Sequence, residues 1–179
     1  MQIFRIAYYG LLSLLIIACG GGSSSSSSGG GTIVVDEKTV INSFTLTGSA
    51  APIDGVTPIN ASVSGGKFTI AWDIESTTVY NFRLFVSDNN TYEISEDPEI
   101  FALSCGPVAA TFNCNQTGHF DCRFNSSNEM SCGVVAPGNL AEDLTSFLTA
   151  LPAKVFLIAQ ACNSLAEDCE IAPVAIELQ

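Results

Sequence analysis

Oxygen-bearing side chains are concentrated in residues 88–99, where they could bind a cation. The stretch carries Asp88, Asn89, Asn90, Tyr92, Glu93, Glu96, Asp97 and Glu99. Carboxylate and amide oxygens are hard ligands of the kind that Ca²⁺ prefers. The order does not match an EF-hand loop, because Tyr92 occupies the fifth position and the glycine that should follow it is missing.

Two interpretations of this acidic stretch stay open. The calcium candidates are Asp88, Asn90, Glu93, Glu96 and Asp97. The alternative is a solvated acidic loop near an edge strand, where charge discourages aggregation. We expect the solvated loop, and the sequence therefore predicts no resident metal and no cofactor.

Nucleophilic catalysis would need a base beside a serine or a free thiol, and His119 is the only histidine in the chain. It follows Gly118 and precedes an alternating apolar segment, which is typical of a solvated turn residue. The chain contains no Walker loop, dinucleotide fingerprint, G-x-S-x-G elbow or zinc-protease motif. We predict a protein that is not an enzyme and has no catalytic residues. A small carboxylate-dependent hydrolase is the alternative, since paired acids are defined by their separation in space.

The amino-terminal residues have the pattern of an export signal. Arg5 is the only early charge, and residues 6–17 form a mostly apolar run. That run is too short for the roughly 20 residues that span a bilayer. The sequence therefore predicts a signal peptide and not a membrane helix, with a chance cysteine in an ordinary secretory signal as the alternative for Cys19.

Ala18, Cys19 and Gly20, followed by a tract of glycine and serine, resemble the signal of bacterial lipoproteins. The resemblance implies cleavage before Cys19 and attachment of fatty acids such as palmitate to its thiol and new amino group. Because Gly20 is not aspartate, it also implies sorting to the outer membrane of the cell envelope, on its periplasmic or its surface face. The lipid bilayer is then a partner through the acylated Cys19.

The remaining organisation follows from composition. Residues 20–31 contain only glycine and serine, so we expect a flexible linker with a mean span of roughly 20 Å. The predicted parts are a signal peptide at 1–18, the lipidated cysteine and linker at 19–31, and a single β domain at 32–179.

Six further cysteines predict a disulfide framework, because an even number in an exported chain indicates three disulfides. We favour pairing in sequence order, because each successive couple flanks a short turn-like segment. The predicted pairs are Cys105 with Cys114, Cys122 with Cys132, and Cys162 with Cys169. A structural zinc site is disfavoured, because C-x-x-C spacing is missing and only one histidine is present.

The pair of Cys122 and Cys132 has the clearest local pattern. Apolar residues alternate through positions 120, 122 and 124 and again through 130, 132 and 134 (Phe120, Phe124, Met130 and Val134 besides the cysteines). Direct opposition of the cysteines leaves Ser126, Ser127 and Asn128 as a three-residue loop, with Asn128 suited to a left-handed final position. Closing such a loop contributes about 2 to 3 kcal/mol in the chain-entropy description.

Charge excludes one class of partner. The chain has a formal charge of −12, and five basic residues remain once the signal is removed: Lys38, Lys67, Arg83, Arg123 and Lys154. These are scattered along the sequence, whereas phosphate binding needs clustered lysine and arginine. We therefore predict no nucleic-acid partner.

Period-two alternation predicts β-strands along the body. Phe68, Ile70, Trp72 and Ile74 share one face, and residues 79–86 repeat the pattern. Gly65 and Gly66 predict a two-residue hairpin turn between strands around residues 59–63 and 67–74. Further predicted strands are residues 43–47, 100–104, 154–162 and 172–178, with 154–162 in the middle of a sheet.

Residues 140–150 are predicted to form the one helix. Asn139 can cap it, Glu142 completes a pattern like a capping box, and Leu144, Phe147 and Leu148 share a stripe that ends before Pro152.

The predicted fold class is all-β: an antiparallel sandwich of about seven to nine strands with one short helix and three disulfides. Trp72 on an early core strand, the strand of residues 80–86 ending in Ser87 and Asp88, and the closing strands around Cys162 and Cys169 resemble an immunoglobulin-like or fibronectin type III module. Two features depart from it: the usual disulfide between the sheets is not evident, and residues 106–137 are longer and richer in cysteine than such a module requires.

These features predict a membrane-anchored, non-catalytic lipoprotein that acts outside the cytoplasm in binding, adhesion or as an envelope accessory, with an unidentified protein or glycan partner. The alternatives are the carboxylate-dependent hydrolase and a calcium- or glycan-binding module centred on residues 88–99.

Overall fold

The computed structural model describes residues 38–93, 95–106, 114–133, 141–163, 166 and 168–179. All of them belong to a compact unit, Val35–Gln179. The predicted signal peptide, Cys19 and the linker lie outside the described residues. In the part of the chain that the structure describes, no helix has the length and apolarity needed to cross a membrane.

The described residues form ten strands: β1 (Thr39–Thr47), β2 (Thr57–Ile59), β3 (Lys67–Ser76), β4 (Tyr80–Ser87), β5 (Glu99–Cys105), β6 (Thr117–Phe124), β7 (Glu129–Cys132), β8 (Glu142–Asp143), β9 (Ala153–Asn163) and β10 (Cys169–Leu178). They make two five-stranded sheets, with orders β1-β3-β6-β7-β8 and β2-β10-β9-β4-β5. Neighbouring strands are antiparallel except for β2 and β10, which are parallel.

The all-β sandwich is therefore as predicted, and its core lies between the sheets. Alternation decides which side chains enter it: Phe68, Ile70, Trp72 and Ile74 of β3 are all buried, while the residues between them are not. β9 lies between β10 and β4, as predicted for the strand at residues 154–162. The described strands exceed the predicted seven to nine because β2 and β8 are too short to show alternation.

The cysteines are joined in sequence order, with Cα atoms 4.7 Å apart for Cys105 and Cys114 and 4.0 Å apart for each of the other two pairs. Cys122 of β6 lies directly opposite Cys132 of β7. Asn128 ends the intervening loop in the left-handed region, at φ 61°. The predicted geometry of this hairpin is confirmed, although Val134 lies outside the described residues.

The predicted helix at residues 140–150 is wrong. Glu142 and Asp143 pair with β7 as strand β8, and only a single turn follows, closed by the Leu148 N–H donating to the Leu144 carbonyl at 2.8 Å. Hydrogen bonds from the Thr145 hydroxyl and backbone N–H lower the pKa of the Asp143 carboxyl. Leu144 and Leu148 are both buried, so a single turn is enough to place these apolar side chains in the core. Asn139 and Leu140 lie outside the described residues.

The predicted Gly65-Gly66 hairpin is also wrong, although both residues have positive φ (65° and 67°). β2 pairs with β10 and not with β3, so the turn at Ser64–Gly66 carries the chain from one sheet to the other. Glycine is required at Gly66, because a Cβ there would lie 1.8 Å from the Phe124 carbonyl oxygen.

Candidate functional site

The calcium candidates lie in the connection between β4 and β5. One of them holds the loop's own backbone, since the Asp97 carboxylate accepts from the Glu93 N–H at 2.7 Å. The neighbouring Asn89 does the same, because its side-chain oxygen accepts from the Thr91 N–H at 2.8 Å. Such local bonds are typical of turns that need no metal.

The structure does not gather the remaining candidates. Asp88, Asn90, Glu93 and Glu96 are all exposed. Within the described ranges, no three histidine, cysteine or carboxylate side chains are grouped closely enough to hold one metal ion. In the described part of the stretch, three carboxylates are exposed (Asp88, Glu93 and Glu96), while Asp97 and Glu99 are half-buried and hydrogen-bonded within the protein.

Beneath this loop, an aromatic and charged cluster lies on the outer face of the second sheet. The ring of Tyr92 packs 4.2 Å from that of Phe85, and the Arg83 guanidinium carbon lies 4.9 Å from the Phe85 centroid. Arg83 Nε donates to Glu99 at 2.6 Å. Within the described residues, the Tyr92 hydroxyl and the Gln160 side-chain oxygen Oε1 are buried there without a hydrogen-bond partner. Tyr92 thus anchors the loop to the sheet through aromatic stacking, and the ion pair joins β4 to β5.

His119 lies within β6, opposite Ala71, and not in a turn as predicted. Its side chain is exposed on the outer face of the first sheet. In the described structure, no hydrogen bond joins it to a serine, a cysteine or a carboxylate. Within that part of the chain, none of the partners that would make it a base for an attacking group is present.

Two carboxylates do line a concave surface at one end of the first sheet. Asp73 and Glu75 share the outer face of β3 and line a cavity of about 420 Å³ together with Asn42, Gln116 and Thr117. A glycosidase needs one carboxyl kept protonated by apolar surroundings. The side chains of these three neighbours are polar, so this cavity supplies two acids in similar environments.

A larger cavity, of about 680 Å³, lies at the other end of the same face. Lys67 of β3 and Arg123 of β6 line it and stand directly opposite each other in the strand register. One carboxylate, that of Asp121, also lines it, and the rest of its polar lining consists of the hydroxyl groups of Thr47, Ser49, Ser64, Thr69 and Ser131. We call it the two-cation cavity.

The positions of the two cations are set by local contacts. Arg123 Nε donates to the Gly65 carbonyl at 2.9 Å, which holds the guanidinium over the turn before β3. The Thr69 hydroxyl donates to the Asp121 carboxylate at 3.0 Å, which holds that carboxylate beside Thr69 on the same face. This site was not predicted, because Lys67 and Arg123 are far apart in the sequence and the basic residues look scattered along it. The alternation of apolar and polar residues did indicate that Lys67 and Arg123 both lie on the outer face of their strands. It did not indicate that these strands are neighbours.

The chain matches no protein-family model, and no curated protein or solved structure is significantly similar to it.

Proposed function

We propose that this protein is a lipid-anchored, non-catalytic binding module that works outside the cytoplasm, on the outer membrane of a bacterial envelope. The observation that carries the proposal is the set of three disulfides. Disulfides persist in oxidising compartments such as the periplasm and the cell surface. Two of the three pairs join neighbouring strands, Cys122 with Cys132 and Cys162 with Cys169, which fits a chain that is exported and oxidised as it folds.

The amino-terminal sequence supports the anchored part of the proposal. Acylation of Cys19 with several chains, at about 0.8 kcal/mol for each buried methylene, would make attachment effectively permanent. The following glycine and serine residues, with a mean span of roughly 20 Å, would hold the sandwich clear of the lipid headgroups. The partner is a protein or glycan that approaches the outer faces of the sandwich.

The strand order supports an immunoglobulin-like or fibronectin type III-like origin for half of the sandwich. The run β10-β9-β4-β5 has the order of strands G, F, C and C′. The first sheet departs from that family. In the A-B-E-D order, the strand beside B is E, the later of the two strands D and E. Here β3 takes the place of B, but its neighbour is β6, the earlier strand of the β6–β7 hairpin.

Mass spectrometry of the mature protein tests the anchor. We expect an amino-terminal peptide that begins at Cys19 and carries fatty acids, and a Cys19→Ser variant that moves from the membrane to the soluble fraction. A variant lacking Cys122 and Cys132 is the matched control and stays on the membrane. An unacylated amino terminus, or a wild-type chain kept inside the cell with free thiols, would contradict the proposal.

Deleting the protein and measuring attachment of cells to surfaces and to partner cells tests the binding role. We expect reduced attachment that returns with the wild-type chain. Protease treatment of intact cells separates a periplasmic from a surface-exposed body, because only the latter is cleaved. Unchanged attachment together with a hydrolytic activity would overturn the non-catalytic role.

A carboxylate-dependent hydrolase is the second candidate function, favoured by the meeting of Asp73 and Glu75 in one cavity. Its test is polysaccharide hydrolysis by the wild type and by the Asp73→Asn and Glu75→Gln variants. We expect no activity in any of the three. Hydrolysis by the wild type that is lost in both variants would establish the hydrolase instead.

A further inference from the structure

We propose that the two-cation cavity binds a carboxylate or sulfate group of an acidic saccharide. This inference rests on the proposed function only in treating the chain as a binding module. The residues that carry it are Lys67 and Arg123, which project from adjacent strands onto the same face.

The pairing of these two residues is unfavourable without a ligand. Directly opposed side chains on antiparallel strands have Cβ atoms about 5 Å apart, and like charges at that separation destabilise a sheet. The chain has a formal charge of −12, so carboxylates are abundant. Yet the one ion pair within the described residues joins Arg83 and Glu99, on the other sheet.

The carboxylates closest in register to the cations form no ion pair with them within the described residues. Asp121 lines the same cavity and accepts the Thr69 hydroxyl at 3.0 Å, and Glu129 accepts the Asn125 side-chain amide at 2.7 Å. The cavity therefore holds two cations against one carboxylate, and an excess of positive charge remains for a group from outside. An oxyanion seated between them would turn a repulsion into two charge-assisted hydrogen bonds.

The orientation of Arg123 suits such a group. Its Nε–H is used by the Gly65 carbonyl, so both terminal nitrogens remain as a planar pair of donors. A guanidinium binds carboxylate and sulfate with two parallel hydrogen bonds, and the Lys67 ammonium adds a point charge.

The rest of the cavity suits a saccharide. Its volume of about 680 Å³ lies in the usual range for sites that take small molecules. Hydroxyl groups such as those of Thr47, Ser49 and Ser131 both donate and accept hydrogen bonds, which matches the hydroxyls of a sugar ring. An anionic bilayer fits less well, because lipid-binding clusters contain about four to eight basic residues.

Isothermal calorimetry on the full chain, exported, oxidised and held in detergent micelles, tests the inference. The probes are a hexasaccharide of uronic acid residues, its sulfated form and its carboxyl-reduced neutral counterpart. We expect the acidic probes to bind at least tenfold more tightly than the neutral one. Raising the salt concentration should weaken that binding, because exposed charges are screened.

Variants locate the site. Lys67→Gln and Arg123→Gln should each weaken binding of the acidic probes at least fivefold, and Arg123→Lys should fall between Arg123→Gln and the wild type because it keeps charge and loses the planar donors. Lys154→Gln removes the same charge opposite Glu177 on the other sheet and should change the affinity less than twofold. Unchanged melting temperatures and disulfide content show that each variant is folded.

Four outcomes would overturn the inference. The first two are a loss of affinity in Lys154→Gln as large as that in Lys67→Gln, and a neutral probe that binds as tightly as the acidic ones. The third is no binding of any acidic probe. The fourth is a protein that binds anionic-lipid vesicles and no saccharide, with the vesicle binding lost in Lys67→Gln. All four leave acylation of Cys19 and the cell-attachment result untouched, so failure here is distinct from failure of the proposed function.

Discussion

Trp72 and Tyr80 belong to opposite sheets, yet both donate hydrogen bonds to the same acceptor, the carbonyl oxygen of Asn115. The indole nitrogen lies 3.1 Å and the phenol oxygen 2.9 Å from that oxygen. Asn115 directly follows Cys114, so the disulfide to Cys105 and this shared carbonyl fix the same segment. One backbone oxygen thus joins both sheets and the start of β6.

The two donors are expected to act as a coupled pair. Tyr80→Phe should lower the free energy of unfolding by about 1 kcal/mol, because Trp72 still satisfies the carbonyl. Trp72→Phe should cost more, because it also leaves a void beside Phe82. The double variant removes both donors and should exceed the sum by at least about 0.5 kcal/mol in denaturant unfolding. Additive losses would show that the shared carbonyl does not couple the residues.

Tyr80 also predicts a loss of stability at alkaline pH. Burial raises its pKa to about 12, from an ordinary value of 10.0. A group whose pKa is raised in the folded state contributes stability that is complete below its unfolded pKa and is lost as pH rises through the folded one. The free energy of unfolding should therefore fall between about pH 10 and pH 12 on account of Tyr80.

Absorbance of the phenolate checks this assignment. A tyrosine transition near pH 12 should be present in the wild type and missing from Tyr80→Phe, and the unfolding free energy of that variant should fall less steeply with pH. A Tyr80→Phe variant with the same high-pH transition would assign it to another tyrosine.

The long strands and the hairpin around Cys122 were predictable because their information is local. In β3, every second side chain is apolar, and burial of those side chains decides the register of the whole strand. The short loop between β6 and β7 likewise follows from residues adjacent in the chain. Neither depends on which strand from elsewhere is its neighbour.

Features that depend on distant partners were not predictable in this way. Gly65 and Gly66 both have positive φ, as in a hairpin turn. The chain nevertheless crosses between sheets there, because β2 pairs with β10 of the second sheet and not with β3. Residues 142–143 carry a helix-start pattern, but β7 offers them a strand partner. Lys67 and Arg123 meet only because β3 pairs with β6.

The crossing turn gives a prediction about glycine. Gly66→Ala combines positive φ with a Cβ placed 1.8 Å from the Phe124 carbonyl oxygen, so its loss should reach about 3 kcal/mol or more. Gly55→Ala is the matched control, because its φ of 79° is also positive and nothing lies within 4 Å of the added Cβ. It should lose only about 1 kcal/mol. Equal losses in urea unfolding would show that backbone strain alone decides both.

Replacing Lys67 is expected to raise the stability of the protein and to lower its affinity for acidic saccharides. Lys67→Glu replaces two opposed cations with a cross-strand ion pair to Arg123, and should raise the free energy of unfolding by about 0.5 kcal/mol at low salt. The gain should shrink as salt screens the pair. The same variant should lose binding of acidic saccharides, because the cavity then holds one cation and two carboxylates.

Lys154→Glu is the control for the sign of this effect. It places a second carboxylate opposite Glu177, so it should destabilise where Lys67→Glu stabilises. Thermal unfolding of the two variants at low and high salt measures both effects. If Lys67→Glu destabilises the protein, the native lysine is not held in an unfavourable pairing, and its place beside Arg123 is structural. If it stabilises the protein while binding is lost, the chain retains an unfavourable pair of charges whose benefit appears only with an anion present.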